Sequence, residues 1–503
     1  MLATQPDFDV LIVGAGISGI GMAAHMQMKA PGHSFAIVER RESLGGTWDL
    51  FRYPGIRSDS DMHTLGYDFE PWRHEKSIAD APAILDYLNR IVDERGIREH
   101  IRFGHKVTAA DFREDEGRWH VEMEKEDGSR THATANFLYL GSGYYDYDEP
   151  HDAGFDLGEF EGQVVHPQFW PEDLDYADKK VLVIGSGATA VTIVPAMAET
   201  AAKVTMLQRT PTWMVSRPAK DWFANTLRKI LPEKLAYAIT RARNIWMQDV
   251  TFKVARNKPE KAKKNLRKGL RKALGPDYDK EAFDPPYNPW EQRLCLVPDG
   301  DMFEAMKAGK ADIVTGHIEG FEAGGVRLKS GELVEADIIV TATGLKLAIA
   351  GKIDISMNSE PVDFSKRFYY KGCMYSNLPN LAVVFGYINA SWTLRADINS
   401  DYVCRVLNEM RERGADIVTP VLTPAMEAGI EEEDIFGDYS SGYLARARDI
   451  NPKNATEYPW RLNQEYVVDR KRMASDPVDD GILTFASSDT GAHAHEEQLE
   501  AAE

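Results

Sequence analysis

The sequence predicts an α/β protein with two Rossmann-like dinucleotide-binding domains and an inserted helical subdomain. Residues 14–19 read GAGISG and residues 185–190 read GSGATA, and each glycine-rich turn follows a short apolar run. In both places the pattern continues into a helix and then a second strand, which is the order of a βαβ unit. From about Asp221 to Asp279 the pattern becomes helical and charged, without strand alternation, and this predicts the helical insertion.

The first glycine turn has the other features of a nucleotide site. Its backbone N–H groups and the N-terminus of the following helix can hold a pyrophosphate. Glu39 stands at the end of the next predicted strand and supplies the acceptor that a ribose diol requires. The alternative is a turn that only packs two elements, but Glu39 favours an FAD site. The motif residues predicted to bind FAD are Gly14, Gly16, Ser18, Gly19 and Glu39.

The second glycine turn differs where the first has its acid. The strand predicted to end at Leu207 is followed by Gln208, Arg209 and Thr210. A carboxylate there would repel a 2′-phosphate, whereas the Arg209 guanidinium can pair with it, so this site should prefer NADPH over NADH. Two dinucleotide sites in one chain indicate a flavoprotein that takes hydride from a nicotinamide. The motif residues predicted to bind NADP are Gly185, Ser186, Gly187, Thr189, Ala190, Arg209 and Thr210.

Both domains are predicted to be split along the chain, because strand signals return at 311–314 and 337–340. The FAD-binding domain is predicted over 1–150 and 346–485, the NADP-binding domain over 151–215 and 291–345, and the helical insertion over 216–290. Residues 486–503 are rich in Ser, Ala, His and Glu and are predicted to be a disordered tail. Its His493 and His495 are not expected to bind a metal, and no metal site is predicted elsewhere.

Composition excludes several classes of protein. The net charge of −20 repels nucleic acid, and no apolar run is long enough to cross a bilayer. Three widely spaced cysteines cannot form a disulfide framework or a CxxC redox pair. The N-terminus lacks the features of a signal peptide, so a cytoplasmic protein is expected. The basic stretch from Lys258 to Lys272 is interpreted as a solvated helix face, with an anion or membrane-surface patch as the alternative.

Two stretches match family signatures without a mismatch. Residues 160–171 carry F-x-G-x-x-x-H-x-x-x-W-P, and residues 45–59 carry G-G-T-W, then Y-P-G and an aspartate. The first pattern is the fingerprint of Baeyer–Villiger monooxygenases, and related flavin-containing monooxygenases usually end it with Tyr or Phe. The chain therefore resembles this class of flavoprotein monooxygenases (class B), in the branch of the ethionamide-activating enzymes, and residues 293–300, 342–344 and 386–393 extend the similarity. The fingerprint residues are Phe160, Gly162, His166, Trp170 and Pro171.

The resemblance implies FAD and NADPH as cofactors and O2 as co-substrate. In such enzymes reduced flavin and O2 give a C4a-peroxyflavin, which adds to a ketone and leads to an ester or lactone. Arg293 matches the family's active-site arginine, a cation that would stabilise the developing negative charge. Asp59 matches the acid that orients this arginine. The resemblance further implies that Arg57 binds NADP and that FAD is bound by Gly46, Thr47, Trp48, Asp59 and Val107.

Several residues keep two interpretations. His166 could act as a general base, but in the family it belongs to the linker between the domains and couples their movement. Gln292 stands where many of these enzymes have a lysine that reaches the 2′-phosphate, so NADPH preference rests more heavily on Arg209. Three tryptophans could either form the wall of a substrate pocket or belong to the core: Trp213, Trp290 and Trp392.

The predicted function is the oxygenation of a small ketone, and also of thioethers. One alternative is a heteroatom-oxidising flavin-containing monooxygenase, in which a protonated oxidant attacks sulfur or nitrogen. The other, from a different class, is a non-catalytic flavin redox sensor. The sequence leaves the natural substrate and the oligomeric state open.

Overall fold

The computed structural model describes residues 5–276, 278–292, 294–437, 439, 442, 446 and 448–488. The strands, in chain order, are β1 Phe8–Val13, β2 Phe35–Val38, β3 Ile101–Arg102, β4 Lys106–Arg113, β5 Arg118–Glu124, β6 Arg130–Leu140, β7 Gln163–Val165, β8 Lys180–Ile184, β9 Lys203–Gln208, β10 Met214–Arg217, β11 Cys295–Pro298, β12 Ala311–Thr315, β13 Ile318–Glu322, β14 Gly325–Leu328, β15 Leu333–Glu335, β16 Ile338–Thr341, β17 Asp354–Met357, β18 Glu360–Pro361, β19 Tyr369–Tyr370, β20 Met374–Tyr375, β21 Leu381–Val383, β22 Ile417–Pro420, β23 Glu432–Glu433, β24 Asn454–Ala455 and β25 Leu483–Ala486. The helices are α1 Ile17–Lys29, α2 Thr47–Leu50, α3 Met62–Leu65, α4 Ala81–Glu94, α5 Ala188–Met197, α6 Trp222–Ile230, α7 Glu233–Asn257, α8 Pro259–Leu274, α9 Lys280–Phe283, α10 Asp301–Lys307, α11 Trp392–Arg413, α12 Pro424–Glu427 and α13 Tyr466–Ser475.

The larger sheet belongs to the first dinucleotide-binding domain. Its strands follow the order β18-β17-β4-β5-β6-β1-β2-β3, and β21 also pairs with β6. β1 is parallel to β2 and β6, as in a Rossmann unit, whereas β4, β5 and β6 form an antiparallel meander. Because β17, β18 and β21 come from the chain after residue 350, the sheet is assembled from two separate parts of the sequence.

The second sheet is fully parallel, in the order β12-β9-β8-β16-β7. The central strand β8 is buried except at its first residue, as expected of a parallel sheet covered on both faces. The run β8–α5–β9 repeats the order β1–α1–β2 of the first domain. The predicted fold class, α/β with two dinucleotide-binding domains, is thus confirmed.

The helical segment between β10 and β11 contains α6, α7, α8 and α9 and starts later than predicted. Residues 214–217 form β10, which pairs in parallel with β11, so the predicted start at 216 falls inside a strand. The Asp221 carboxylate then accepts hydrogen bonds from the N–H groups of Phe223 and Ala224 and caps α6. A four-residue strand pairs with residues some 80 positions away, a contact that local periodicity cannot reveal.

The long helix α7 is fixed to the first domain by its polar face. The guanidinium of Arg241 donates to the carbonyl oxygens of His63, at 3.0 Å, and Gly66, at 2.6 Å. One turn further on, Asn244 donates to the carboxylate of Asp61 at 2.9 Å. Within the described ranges, no helix has the length and hydropathy to cross a membrane.

The C-terminal boundary predicted at residue 486 is also too early. Ala486 pairs with Ile417 at the edge formed by β22 and β25, and the Ser488 N–H donates to Asp416 at 2.7 Å. Composition did not reveal this order because it comes from pairing with a distant strand. Residues 489–503, with His493 and His495, lie outside the described residues.

Candidate active site

A cavity of about 310 Å³ is lined by residues of both dinucleotide-binding domains. It adjoins the carboxyl ends of β1, β2 and β6, which is where open α/β sheets bind ligands. The predicted residues that line it are Gly14, Gly16, Ser18, Glu39, Gly46, Thr47, Trp48, Arg57, Asp59, Val107, Thr189 and Trp392. The predicted cofactor residues that do not line it are Gly19, Gly185, Ser186, Gly187, Ala190, Arg209 and Thr210.

The first glycine turn leaves a helix N-terminus open to the cavity. Gly14 has φ of +97°, and a Cβ there would lie 2.8 Å from the carbonyl oxygen of Gly141. Helix α1 begins at Ile17, and no side chain of the described residues caps its first N–H groups. Residues 16–18 line the cavity, so these donors suit a phosphate and fit the pyrophosphate of FAD.

Glu39 is held rigidly at the end of β2. One of its carboxylate oxygens accepts from the Ala15 N–H at 2.7 Å, and the other accepts from the Arg41 N–H at 2.9 Å. Burial raises the pKa of Glu39, and these two N–H groups oppose the rise. Because a carboxylate has about four acceptor positions, two remain for the hydroxyls of a ribose.

Aromatic side chains form one wall of the cavity, and sequence reasoning missed most of them. The rings of Tyr144 and Trp392 stack with centroids 4.9 Å apart, and the Trp392 indole N–H donates to the Ser18 hydroxyl at 2.8 Å. Phe51 and Tyr53 also line the cavity, and burial raises the pKa of Tyr53. The signal for Tyr144 was its place in residues 141–147, GSGYYDY, directly after an apolar strand.

Arg57 and Asp59 lie on a loop beside the cavity. Arg57 forms an ion pair with Asp301, the first residue of α10, while its Nη2 is buried without a hydrogen-bond partner among the described residues. Such a donor fits an anionic or carbonyl group. Asp59 is exposed along the cavity. Arg293 lies outside the described residues, so its pairing with Asp59 stays a prediction.

The second glycine turn has the same form as the first and adjoins the cavity through α5. Gly185 has φ of +139°, and a Cβ there would lie 2.2 Å from the carbonyl oxygen of Ala342. The Ser186 hydroxyl donates to the carbonyl oxygen of Thr210 at 3.1 Å, which ties the turn to the end of β9. The adjacent Arg209 is exposed. These positions suit a nucleotide with a 2′-phosphate, but the NADP residues stay a prediction.

The fingerprint residues lie at the edge of the second sheet and outside the cavity. Phe160 is buried, Trp170 and Pro171 are half-buried, and a Cβ at Gly162 would lie 2.3 Å from the Asp337 carbonyl oxygen. His166 accepts from the Gln168 N–H at 3.2 Å, and burial lowers the pKa of its imidazole. This position favours a linker role for His166 over that of a general base.

The three tryptophans that were candidates for the pocket wall lie in different environments. Trp213 is fully buried and donates its indole N–H to the Tyr287 carbonyl oxygen at 3.0 Å, so it belongs to the core. Trp290 does not line the cavity; its ring packs against Phe252. Only Trp392 of the three contributes to the cavity wall.

One group of described side chains has the composition of a cation site, with two buried members and one exposed. His25, Asp68 and Asp397 bring three potential ligand atoms within 4.8 Å of one another. Arg241 already donates to Asp397 at 3.1 Å, so a cation partner is present. None of the three residues lines the cavity.

Comparison with known proteins places the chain in a family. A family model described as pyridine nucleotide-disulphide oxidoreductase matches residues 11–268. AlmA of Acinetobacter baylyi, named a probable FAD-binding monooxygenase, is 47% identical, with 96% of each chain covered. The FAD-containing monooxygenase EthA of Mycobacterium tuberculosis is 48% identical over 95% of this chain and 97% of its own. The chain belongs to the FAD-containing monooxygenases. The prediction of an FAD-dependent monooxygenase is therefore confirmed.

Solved structures agree with this family at the level of the fold. Oxidized steroid monooxygenase bound to NADP has a TM-score of 0.76 at 22% identity, covering 95% of this chain and 99% of its own. OTEMO in complex with FAD and NADP has a TM-score of 0.73 at 22% identity, covering 96% and 100%. Cyclohexanone monooxygenase bound to ε-caprolactone has a TM-score of 0.73 at 21% identity, covering 95% and 99%. All three cysteines of the chain are buried.

Proposed function

We propose that the chain is an NADPH-dependent Baeyer–Villiger monooxygenase that converts ketones to esters or lactones and also oxidises sulfides. The observation that carries this proposal is the cavity lined by the first glycine turn, by α5 of the second domain and by Asp59. The reaction takes a ketone, O2, NADPH and a proton and returns an ester, NADP⁺ and water. The fold neighbours bound to FAD, NADP and ε-caprolactone support this proposal.

The residues around the cavity suit the two cofactors. The uncapped N-terminus of α1 would hold the FAD pyrophosphate, and Glu39 would accept from its ribose hydroxyls. Arg209, at the end of β9, would pair with the 2′-phosphate of NADPH. FAD reduced by NADPH supplies the electrons that activate O2.

The chain's own contribution to the chemistry would be charge stabilisation in dry surroundings. Adding an oxygen nucleophile to a ketone places negative charge on the carbonyl oxygen, and a fixed cation lowers that barrier. Arg293 is proposed for this role from its sequence match, with Asp59 as the carboxylate that positions it. The stacked rings of Tyr144 and Trp392 give one wall of the cavity an apolar surface, and charge stabilisation is stronger in apolar surroundings than in water.

The test is product analysis with the FAD-loaded protein. It is incubated with NADPH, ¹⁸O2 and a panel of linear, cyclic and aryl ketones and thioethers, and products are identified by mass spectrometry. We expect esters or lactones that carry one labelled oxygen. Sulfoxides without any ester would move the chain to the heteroatom-oxidising alternative, and NADPH oxidation that no substrate stimulates would favour a redox sensor.

Variants connect the products to the proposed residues. Arg293→Ala is expected to abolish ester formation, and Asp59→Asn to lower its kcat at least tenfold, since each weakens the same charge stabilisation. Asp354→Asn, an exposed carboxylate in β17 that does not line the cavity, is the matched control. An Arg293→Ala protein that forms esters at the wild-type rate would contradict the mechanism.

Coenzyme selection gives a separate prediction at Arg209. We expect Arg209→Glu to lower the ratio of kcat/KM for NADPH to that for NADH by about a hundredfold, because a charge-assisted pair is replaced by repulsion. The measurement is steady-state oxidation of the two coenzymes. Arg217→Glu, an exposed arginine on the neighbouring β10, is expected to leave the ratio unchanged. An unchanged ratio in Arg209→Glu would place the 2′-phosphate elsewhere.

A further inference from the structure

Helices α6 and α7 expose large apolar side chains to solvent. Trp222 is 75% exposed and Ile230 69% on α6, and Trp246 is 63% exposed and Leu235 49% on α7. Single exposed apolar residues are ordinary, but a group of this size on neighbouring helices marks an interaction surface. We call the two exposed helices and the basic helix α8 that follows them the α6–α8 surface.

Four of the exposed apolar residues of α7 form a stripe along the helix. Leu235, Ile239, Trp246 and Val250 are spaced four, seven and four residues apart, which places them on one face of a helix. This 25-residue helix is about 37 Å long, and the stripe follows much of that length.

The polarity of α7 is the reverse of that in an ordinary surface helix. Its buried face carries Arg241 and Asn244, which bind the first domain through hydrogen bonds. The face with Trp246 and Leu235 stays largely open to solvent among the residues that the structure describes. Since the fold places its polar side chains inward here, the outward stripe suits an apolar partner.

Charge identifies the chemistry of that partner. Residues 222–274 contain 15 Lys or Arg and 3 Asp or Glu, a net charge of +12, in a chain whose total is −20. Lys229 and Lys234 are exposed beside the apolar residues of α6 and α7. The exposed basic residues of α8 are Lys261, Lys264, Lys268, Arg271 and Lys272. A second copy meeting this surface through a two-fold axis would bring two strongly positive surfaces together, which opposes that occupant.

We propose that the α6–α8 surface docks the protein on a bilayer that contains anionic phospholipid. Trp222, Ile230, Leu235 and Trp246 would enter the boundary between headgroups and acyl chains, and the lysines and arginines would lie at the phosphates. The docking is peripheral, and it does not depend on the proposed oxygenation chemistry. Tryptophan, aliphatic and basic side chains together are the composition that such an interface favours.

The experiment is vesicle flotation of the FAD-loaded full chain at low and high salt. One vesicle preparation is phosphatidylcholine alone, and the other adds phosphatidylglycerol at about 30% to supply negative charge. We expect the protein to float with the anionic vesicles, at least tenfold less with the neutral ones, and less in high salt, because salt screens the charges.

Two pairs of variants test the apolar and the basic parts separately. Trp246→Asp and Leu235→Asp are each expected to lower binding to anionic vesicles about tenfold, whereas Val467→Asp, an equally exposed apolar residue on α13, should not. Replacing Lys229 and Lys234 together by glutamate should lower binding to anionic vesicles by a similar factor. The control is Lys329→Glu, at another exposed lysine. Circular dichroism and FAD content establish that each variant is folded.

Three results would overturn the proposal. The protein could fail to float with anionic vesicles, or it could bind neutral vesicles equally well. The third result would be a dimer in sedimentation equilibrium that the substitution Trp246→Asp dissociates. That result would assign the surface to a second copy of the chain.

Discussion

Replacing Gly19 by alanine is expected to remove most of the bound FAD. A Cβ at Gly19 would lie 1.9 Å from the carbonyl oxygen of Gly14, a backbone atom of the turn that opens α1. The contact can be relieved only if α1 moves away from β1, and the N–H groups proposed to hold the pyrophosphate move with it. We expect FAD affinity to fall at least tenfold and the free energy of unfolding to fall by about 1–3 kcal/mol.

FAD released per mole of protein and the thermal midpoint measure these effects. Gly269→Ala is the matched control, since this glycine lies within α8 and a Cβ there would meet nothing within 4 Å. It should keep its FAD and gain about 0.5–1 kcal/mol of stability, because alanine favours a helix. A Gly19→Ala protein with full FAD content and unchanged affinity would contradict the close packing of α1 on the turn.

Replacing Arg241 by methionine is expected to destabilise the docking of α7 by about 3–5 kcal/mol. Arg241 is 7% exposed, and it donates to Asp397 at 3.1 Å as well as to the backbone carbonyls of residues 63, 64 and 66. Its loss would leave the buried Asp397 carboxylate without its cation and the carbonyl oxygens without a donor.

The size of this loss should depend on pH. Burial raises the pKa of Asp397, and Arg241 opposes the rise. Without Arg241 the folded state would bind a proton at Asp397 more readily than the unfolded state does, so folding gains stability as pH falls and loses it as pH rises. Thermal midpoints measured at about pH 6 and about pH 8.5 should therefore show the larger deficit at the higher pH.

Lys253→Met provides the comparison on the same helix. Lys253 pairs with Asp249 at 2.9 Å, but its side chain is half exposed, and such pairs contribute at most about 1 kcal/mol. Equal losses in Lys253→Met and Arg241→Met would mean that the buried pair is not what fixes α7.

The glycine turns were predictable because their constraints are local. Gly14 needs a positive φ and Glu39 ends the next strand, and both features lie within one βαβ unit. The aromatic wall was not predictable in the same way, since Tyr144 follows β6 and Trp392 begins α11, about 250 residues later. The pairing of β21 with β6 and the packing of α11 on α1 bring these parts of the chain together.

Burial could not be assigned from residue type alone. Trp213 and Trp392 were equal candidates for the substrate pocket, yet Trp213, just before β10 in the chain, is buried in the core and Trp392 faces the cavity. The start of the helical insertion was predicted too early, at residue 216, for the same reason. β10 is recognisable from its pairing with β11 rather than from its own four residues. In each case the deciding contact joins distant segments.

The ion pair between Arg57 and Asp301 connects a loop of the first domain to α10 of the second. Any rotation that moves the two domains apart would have to separate these charges. The relative orientation of the domains should therefore respond to ionic strength, with the orientation that keeps this ion pair favoured in dilute buffer. Arg57 lines the cavity as well, so an anionic ligand there would compete with Asp301 for the same guanidinium. Binding of such a ligand would therefore change the relative orientation of the two domains that the ion pair favours.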